Sequence, residues 1–455
     1  MKKTIFVVLA AASLLFAESY QINTLSAKQM GMAHTGAGMK LGSESMHFNP
    51  GGLGFLNKTL DISAGATFII PEVEVWVNGK KTVNDKLGTP LYVYAASNIT
   101  DWLSAGVSFT TPYGNSADYG KDWAGAGILQ DISLAVYAVQ PTVAFKPISQ
   151  LSIGAGPAIY FGSFEQSKAL VAPGQLNALM SSSLAMAPKV QDIVDKYKNK
   201  SAVSATFSGD ADVAVAVNAG IMYDILYDKL ALGVAYRSEA KMKVAKGKTE
   251  INYVDKTDID HLNQISGGKA VPIPPIDQDN FKAELPLPAN LNTGVSFRPI
   301  ESLLLAFDWQ WVFWGTYKKL ELNFDNTYVT KDAAGNPTKS MVSKKNYHDT
   351  FAYRLGAQYT VIDQLDVRCG VYYDESPVDD DYLTPESPST DKLGGTIGFS
   401  FRPISSLSID ASLLRSVALP GRDATSGSNK DKTDGLNGRY EVTAWVPSVG
   451  LSYSF

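Results

Sequence analysis

Phe145-Lys146-Pro147-Ile148-Ser149-Gln150-Leu151 is repeated almost residue for residue as Phe297-Arg298-Pro299-Ile300-Glu301-Ser302-Leu303 and as Phe401-Arg402-Pro403-Ile404-Ser405-Ser406-Leu407. Looser versions stand at 98–103, 223–230 and 361–365. Each is a tight hairpin with Pro or Asp in the bend and alternating runs on both sides. Such runs are plain at 60–68, 151–156, 213–218, 232–237 and 365–371. Strand side chains point alternately to opposite faces, so one face of each run is greasy and the other holds Gly, Ser, Asn, Asp and Arg. The connections between these hairpins are long, polar and variable. Short turns at one end and long loops at the other are the pattern of an outer-membrane β-barrel, short side to the periplasm.

Counting outward from the six turns gives twelve strands, plus one at each end. The expectation is an all-β fold, a transmembrane antiparallel barrel of about 14 strands. The strands are expected near 59–69, 89–97, 102–111, 131–146, 151–164, 206–223, 230–243, 287–298, 302–314, 349–360, 365–373, 392–402, 406–416 and 443–455. Residues 165–203 carry helical spacing and predict short helices. The stretch 244–284, with Pro272-Ile273-Pro274-Pro275-Ile276, reads as an extended loop over the mouth. Loops near 323–347 and 417–438 are polar and read as solvated. The last run alternates to Phe455, an ending that barrel assembly machinery is expected to recognise.

The N-terminal part is different. Lys2 and Lys3 precede an apolar run from Ile5 to Ala17, followed by Glu18-Ser19. This predicts a signal peptide over 1–19, too short for a membrane anchor. Residues 20–57 are crowded with Gly, Ala, Ser and Met and follow no period of two. They have too little bulk to form a core alone, and are read as a plug inside the barrel that residues 58–455 build.

Composition narrows the function. The chain has 455 residues, a formal net charge of −5, 1 Cys and 4 His, which leaves no disulfide and no cysteine-based metal motif. No metal, cofactor or nucleic-acid partner is expected. The 22 Tyr, 19 Phe and 7 Trp suit two membrane interfaces. An outer-membrane enzyme would need a nucleophile beside His, yet His34, His47, His261 and His348 stand near no serine elbow. No enzymatic activity is expected. A water-filled porin is disfavoured by the low-charge, Gly-rich plug.

Phe48-Asn49-Pro50-Gly51-Gly52-Leu53, Ala235-Tyr236-Arg237-Ser238-Glu239-Ala240-Lys241 and Tyr373-Asp374-Glu375-Ser376-Pro377-Val378, taken in order along the mature chain, resemble the FadL family of outer-membrane transporters for hydrophobic compounds. The resemblance implies a monomeric fourteen-stranded barrel with an N-terminal hatch. It implies capture of cargo among the outer loops, a pocket above the hatch, and passive exit sideways into the outer-membrane lipid at a kink of the third strand. Cargo is a fatty acid or related lipid, a detergent-like molecule, or a neutral hydrocarbon of the toluene type. Asn49, Pro50 and Gly51 match the hatch motif, with Gly51 where the family has Ala. Gly106 is the residue best suited to the kink. Phe161, Phe164, Lys344 and Lys345 are candidates for the ligand pocket, and no strong cationic clamp is evident. Arg237, Arg298, Asp308, Arg354, Asp366, Arg368 and Asp410 face the lumen and are expected to pair with one another or with hatch backbone.

Overall fold

The computed structural model describes residues 19–180, 188–265, 276–331, 335–419, 422–424, 436 and 438–455. The expected leader falls outside these up to residue 18, and so do residues 272–275 of the proline-rich stretch. Among the described residues no helix is long and apolar enough to cross a membrane.

Fourteen antiparallel strands form the wall. They are β1 (Asp61–Thr67, continued by Ile70–Val77), β2 (Lys80–Asn84, then Leu91–Thr100), β3 (Leu103–Asp118), β4 (Asp131–Ile148), β5 (Leu151–Val171), β6 (Val203–Asp224) and β7 (Leu230–Arg237, then Ala240–Tyr253). They continue as β8 (Gln278–Leu287, then Asn290–Ile300), β9 (Leu303–Val312, then Lys319–Phe324), β10 (Ser340–Lys344, then Thr350–Ile362), β11 (Leu365–Asp374), β12 (Lys392–Ile404), β13 (Leu407–Ala418) and β14 (Gly438–Ser454). Each pairs with its sequence neighbours, and β14 pairs with β1 from Asp61↔Ser454 to Thr67↔Ser448, which closes the barrel.

The expected strands sit in place, but several stop short at the outer end. The reason is an inversion of the alternation. In the lower, periplasmic half of β7, Leu232, Val234 and Tyr236 point outward and exposed while Ala231, Ala235 and Arg237 are buried. Above Arg237 the outward positions are Lys241 and Lys243, and the buried ones are Met242 and Val244. β4 shows the same change inside the barrel: Gln140 and Thr142 face in below, and Ile132, Leu134 and Val136 face in above. The strand continues where its hydrophobic face changes side. Of the region 244–284, residues 244–253 and 278–284 are therefore wall, with a helix at Lys256–Ile265 in the loop between them; the proline-rich part expected over the mouth lies mostly outside the described residues.

Helices over Gln175–Leu179 and Pro188–Lys196 form as the spacing predicts. Leu176, Val190, Ile193 and Tyr197 pack with Ile259 and Leu262 into a small core of their own above the barrel. Cys369 is exposed on the outward face of β11.

Candidate ligand passage

Residues 20–57 lie inside the lower half of the barrel and are nearly all buried. They are fixed by the wall's polar inward side chains. Ser26 caps the short helix Ala27–Met30, accepting from the Gln29 N–H at 3.2 Å, and donates to Glu44 Oε2 at 2.6 Å. Glu44 Oε1 accepts from Ser63 of β1 at 2.6 Å. Tyr92 accepts from the Ala27 N–H at 3.0 Å, and Tyr94 donates to the Leu25 carbonyl at 3.0 Å. Gln140 and Asn218 both donate to the Met46 carbonyl, at 2.7 and 3.1 Å.

Asn49, Pro50 and Gly51 form one turn against β5 to β7. Asn49 Nδ2 donates to the carbonyls of Ala37 (2.7 Å) and Ile221 (3.1 Å), while its Oδ1 accepts from the Gly51 N–H (2.9 Å). A Cβ on Gly51 would lie 2.8 Å from the Met222 backbone nitrogen, so glycine here answers a close backbone approach. The wall makes room in the same way. The paired Gly154 and Gly220 receive Pro50 and Asn49, and the paired Gly233 and Gly294 receive Ala37 and Gly38.

The lumen charges divide. Asp308 accepts from the backbone N–H groups of Gly36 (2.7 Å) and Ala37 (2.8 Å), which is wall-to-segment bonding as expected. Asp366 pairs with Arg402 at 2.6 Å and Arg368 at 3.6 Å; Asp410 lies 3.8 Å from Lys28. Arg354 lies 3.8 Å from Asp374, and Arg237 donates to the His47 carbonyl at 3.2 Å. Arg298, near the end of β8, lines the lower opening with Lys28 and Arg368 but donates to the Glu301 carbonyl at 2.8 Å and not to a carboxylate. Burial, reinforced by the Arg354 charge, pushes the His34 imidazole down to about 3. Burial and Arg237 push His47 well below the ordinary histidine range.

Above this segment is an apolar pocket. Leu134, Val136, Phe164, Met242, Leu285 and Leu322 line it, and Tyr20 forms part of its floor. Phe164 and Lys345 are brought together here. Lys345 is buried and ion-paired with Glu386, whose other oxygen accepts from Gln166 at 3.1 Å. Two candidates are corrected. Phe161 is 38% exposed and stacks on Tyr137 on the outer face, because it stands one place out of phase with Gly162 and Phe164. Lys344 is exposed on β10, opposite Lys319.

The kink is also displaced from its expected position. Gly106 is regularly paired on both sides, to Ala96 and to Thr142, so β3 is not bent there. A Cβ at Gly106 would come within 2.7 Å of Met46 Sδ, which gives the glycine a packing role. Pairing with β4 slips between Thr110 and Tyr113, and pairing with β2 ends at Thr110. Thr111 and Pro112 lie in that slip. Proline has no N–H to give either neighbour. From Thr110 to Ala117 β3 is buried on both faces, as it bends into the lumen. Its free edge is taken by the N-terminal segment: the Ile22 N–H donates to Pro112 O (2.8 Å) and the Gly114 N–H to Tyr20 O (2.9 Å). Among the described residues the upper piece of β2 has no strand partner on that side. Asn84 Oδ1 accepts from the Asp118 N–H of β3 at 3.0 Å. A seam thus separates upper β2 from upper β3, spanned by residues 85–90. Sequence reasoning passed over Pro112, although a proline inside a strand run was the available signal.

The profile of a family described as outer membrane protein transport protein (OMPP1/FadL/TodX) matches residues 8–455. The long-chain fatty acid transport protein of Escherichia coli O6:H1 is 23% identical over 459 residues, covering 96% of this chain and 94% of the relative. Outer membrane protein P1 of Haemophilus influenzae is 22% identical over the full length of both. Among solved structures, a Pseudomonas aeruginosa FadL homologue superposes with a TM-score of 0.76 at 20% identity, over 96% of this chain and 100% of that one. The Pseudomonas putida toluene transporter TodX gives 0.67 at 17% identity, over 97% and 99%. These likenesses fix the barrel fold. The chain is a member of the outer membrane protein transport protein (OMPP1/FadL/TodX) family, whose barrel stands in the outer membrane.

Proposed function

We propose that this protein carries hydrophobic molecules, fatty acids or related lipids, across the outer membrane by passive diffusion. Cargo enters the apolar pocket from the outer loops. Residues 20–57 act as a hatch that blocks the axial route, with Asn49, Pro50 and Gly51 setting its seated form. Cargo leaves sideways through the seam beside upper β3. The observation that carries this reading is the position of the pocket: enclosed by apolar side chains, floored by a packed segment, and next to the one stretch where β2 and β3 part. A hydrophobic molecule gains about 0.8 kcal/mol per CH₂ on leaving water, so a route that never returns it to water keeps that gain.

A second cargo class has its own support. The pocket's Lys345 is already ion-paired with Glu386, so the lining offers no cation to an acid and suits an uncharged aromatic hydrocarbon. Uptake of radiolabelled oleate and of toluene by cells expressing the protein, against cells lacking it, tests both. Faster uptake of either supports the reading. No change in either, with the barrel present in the outer membrane, contradicts it.

A further inference from the structure

Across the Ser19-Tyr20 floor of the apolar pocket lies a second chamber of opposite character. It lies between the N-terminal segment and strands β7 to β10. The space left free has room for roughly two waters, which is also the size of a carboxylate group. Arg237, Asn290, Asp308, Arg354 and the rings of His34 and His47 line it.

Arg237 is 6% exposed, and among the described residues no carboxylate lies within ion-pair distance of it. Its Nη2 is shared between the His47 carbonyl oxygen (3.2 Å) and Nδ1 (3.3 Å), and its Nε–H has no partner. The Nε–H of Arg354 and the Nδ2 of Asn290 are also buried without partners. Arg354 gives Nη2 to Gln310 at 2.5 Å and has its nearest carboxylate, Asp374, only at 3.8 Å. Gln21 Oε1, His34 Nδ1 and Asp308 Oδ1 are the other unpaired atoms on the lining. A buried guanidinium without a counter-ion is costly, and buried donors are normally satisfied.

The charge balance points the same way. The lining holds two guanidinium groups and one carboxylate, and burial keeps both imidazoles neutral; Asp374 stands behind Arg354 at 3.8 Å, and Arg237 is left without a carboxylate of its own. Asp308 is turned aside: Oδ2 takes two backbone N–H groups, and Oδ1 lies against Gly294, where a Cβ would come within 2.2 Å of it.

We propose that this chamber is a carboxylate-binding site in which Arg237, Arg354 and Asn290 hold one monoanion. It deepens the transport reading and rests on it only for the tail: an acidic cargo finds here the cation that the apolar pocket has already spent on Glu386. The same site accepts a small free carboxylate from solution, and the experiment separates the two sources.

The test uses the full chain folded in a neutral detergent, with ¹³C-labelled acetate followed by NMR line broadening. Dodecanoate and 1-dodecanol serve as competitors. Acetate should bind the wild-type protein, and 1-dodecanol should not displace it. Displacement by dodecanoate assigns the site to a cargo head group; acetate binding that dodecanoate leaves untouched assigns it to small free carboxylates. Arg237→Gln should weaken acetate binding by at least about tenfold. Arg237→Lys, which keeps the charge but loses the Nε–H and the fork, should fall between. No acetate binding to the wild type overturns the proposal whether or not the variants fold, and so does equal binding to a folded Arg237→Gln. If acetate is silent while oleate or toluene uptake is intact, only the chamber proposal fails and the transport reading stands.

Discussion

The lower and upper halves of the barrel are built from the same strands with their hydrophobic faces exchanged. Below, β7 shows Leu232, Val234 and Tyr236 to the outside and keeps Arg237 within; above, it shows Lys241 and Lys243 and keeps Met242 and Val244 within. The lower interior is therefore a polar socket, filled by a segment that comes within backbone contact of glycine pairs in the wall. The upper interior is a greasy pocket under a charged rim. One wall thus meets lipid outside where it must be greasy outside, and meets cargo inside where it must be greasy inside. The N-terminal segment sits at the level where the two regimes meet, with Tyr20 in the apolar pocket and Gln21 in the polar chamber.

The contrast is sharpest if a side chain is forced into the lower half. Gly233→Val places a Cβ within 1.7 Å of the Ala37 carbonyl oxygen, and backbone cannot yield as a side chain does. The segment should lose its seat, and planar bilayers should record ion-conducting steps that the wild type lacks. A silent conductance would show that the segment is not held as described.

A charge placed in the upper half should act on cargo, not on leak. Val136→Asp buries a carboxylate in the apolar pocket. Uptake should fall about tenfold or more while conductance stays at the wild-type level. The adjacent lysines of β10 give a finer comparison. Lys345→Met strips Glu386 of its ion pair and should lower thermal stability by about 3 kcal/mol or more. Lys344→Met, on the exposed face, should change neither stability nor uptake.

The smallest effect expected is with pH. His34 and His47 have lowered values in the seated segment, so the seated form binds fewer protons than the released one. Its stability is complete above the ordinary histidine value of about 6.5 and declines as pH falls below it, for His34 down to about 3. Hydrogen exchange of the Gly36 to Asn49 backbone should quicken between pH 6.5 and 5, and removal of both rings should flatten that dependence.

Much of this was legible from sequence because the lower half obeys a simple rule. The Phe-Lys/Arg-Pro-Ile turns and the greasy-out alternation gave the strand number, the order and the periplasmic side. The inward positions of Asp308, Asp366 and Arg368 followed from the same period. The upper half broke that rule. Lys246 and Lys248 of β7 and Lys282 of β8 stand in the stretch that reads as loop, since nothing local says that the hydrophobic face has moved inside. Phe161 attracts attention as an aromatic, but its phase points it outward. Gly106 offers backbone freedom, but the missing N–H of Pro112 is the stronger disruption of a ladder. Glu386 lies 41 residues from Lys345, and no local pattern could have joined them.

On the proposed route cargo leaves through the seam between upper β2 and upper β3. Asn84 and Asp118 face each other across it, and a disulfide between cysteines at these two positions, with Cys369→Ala to remove the native thiol, pins its edges. Radiolabelled oleate and toluene uptake should be measured with the pair oxidised and again after reduction. A fall of about tenfold or more on oxidation, restored by reductant, is what lateral exit requires. Equal uptake in both states, with the disulfide verified as formed, would contradict it.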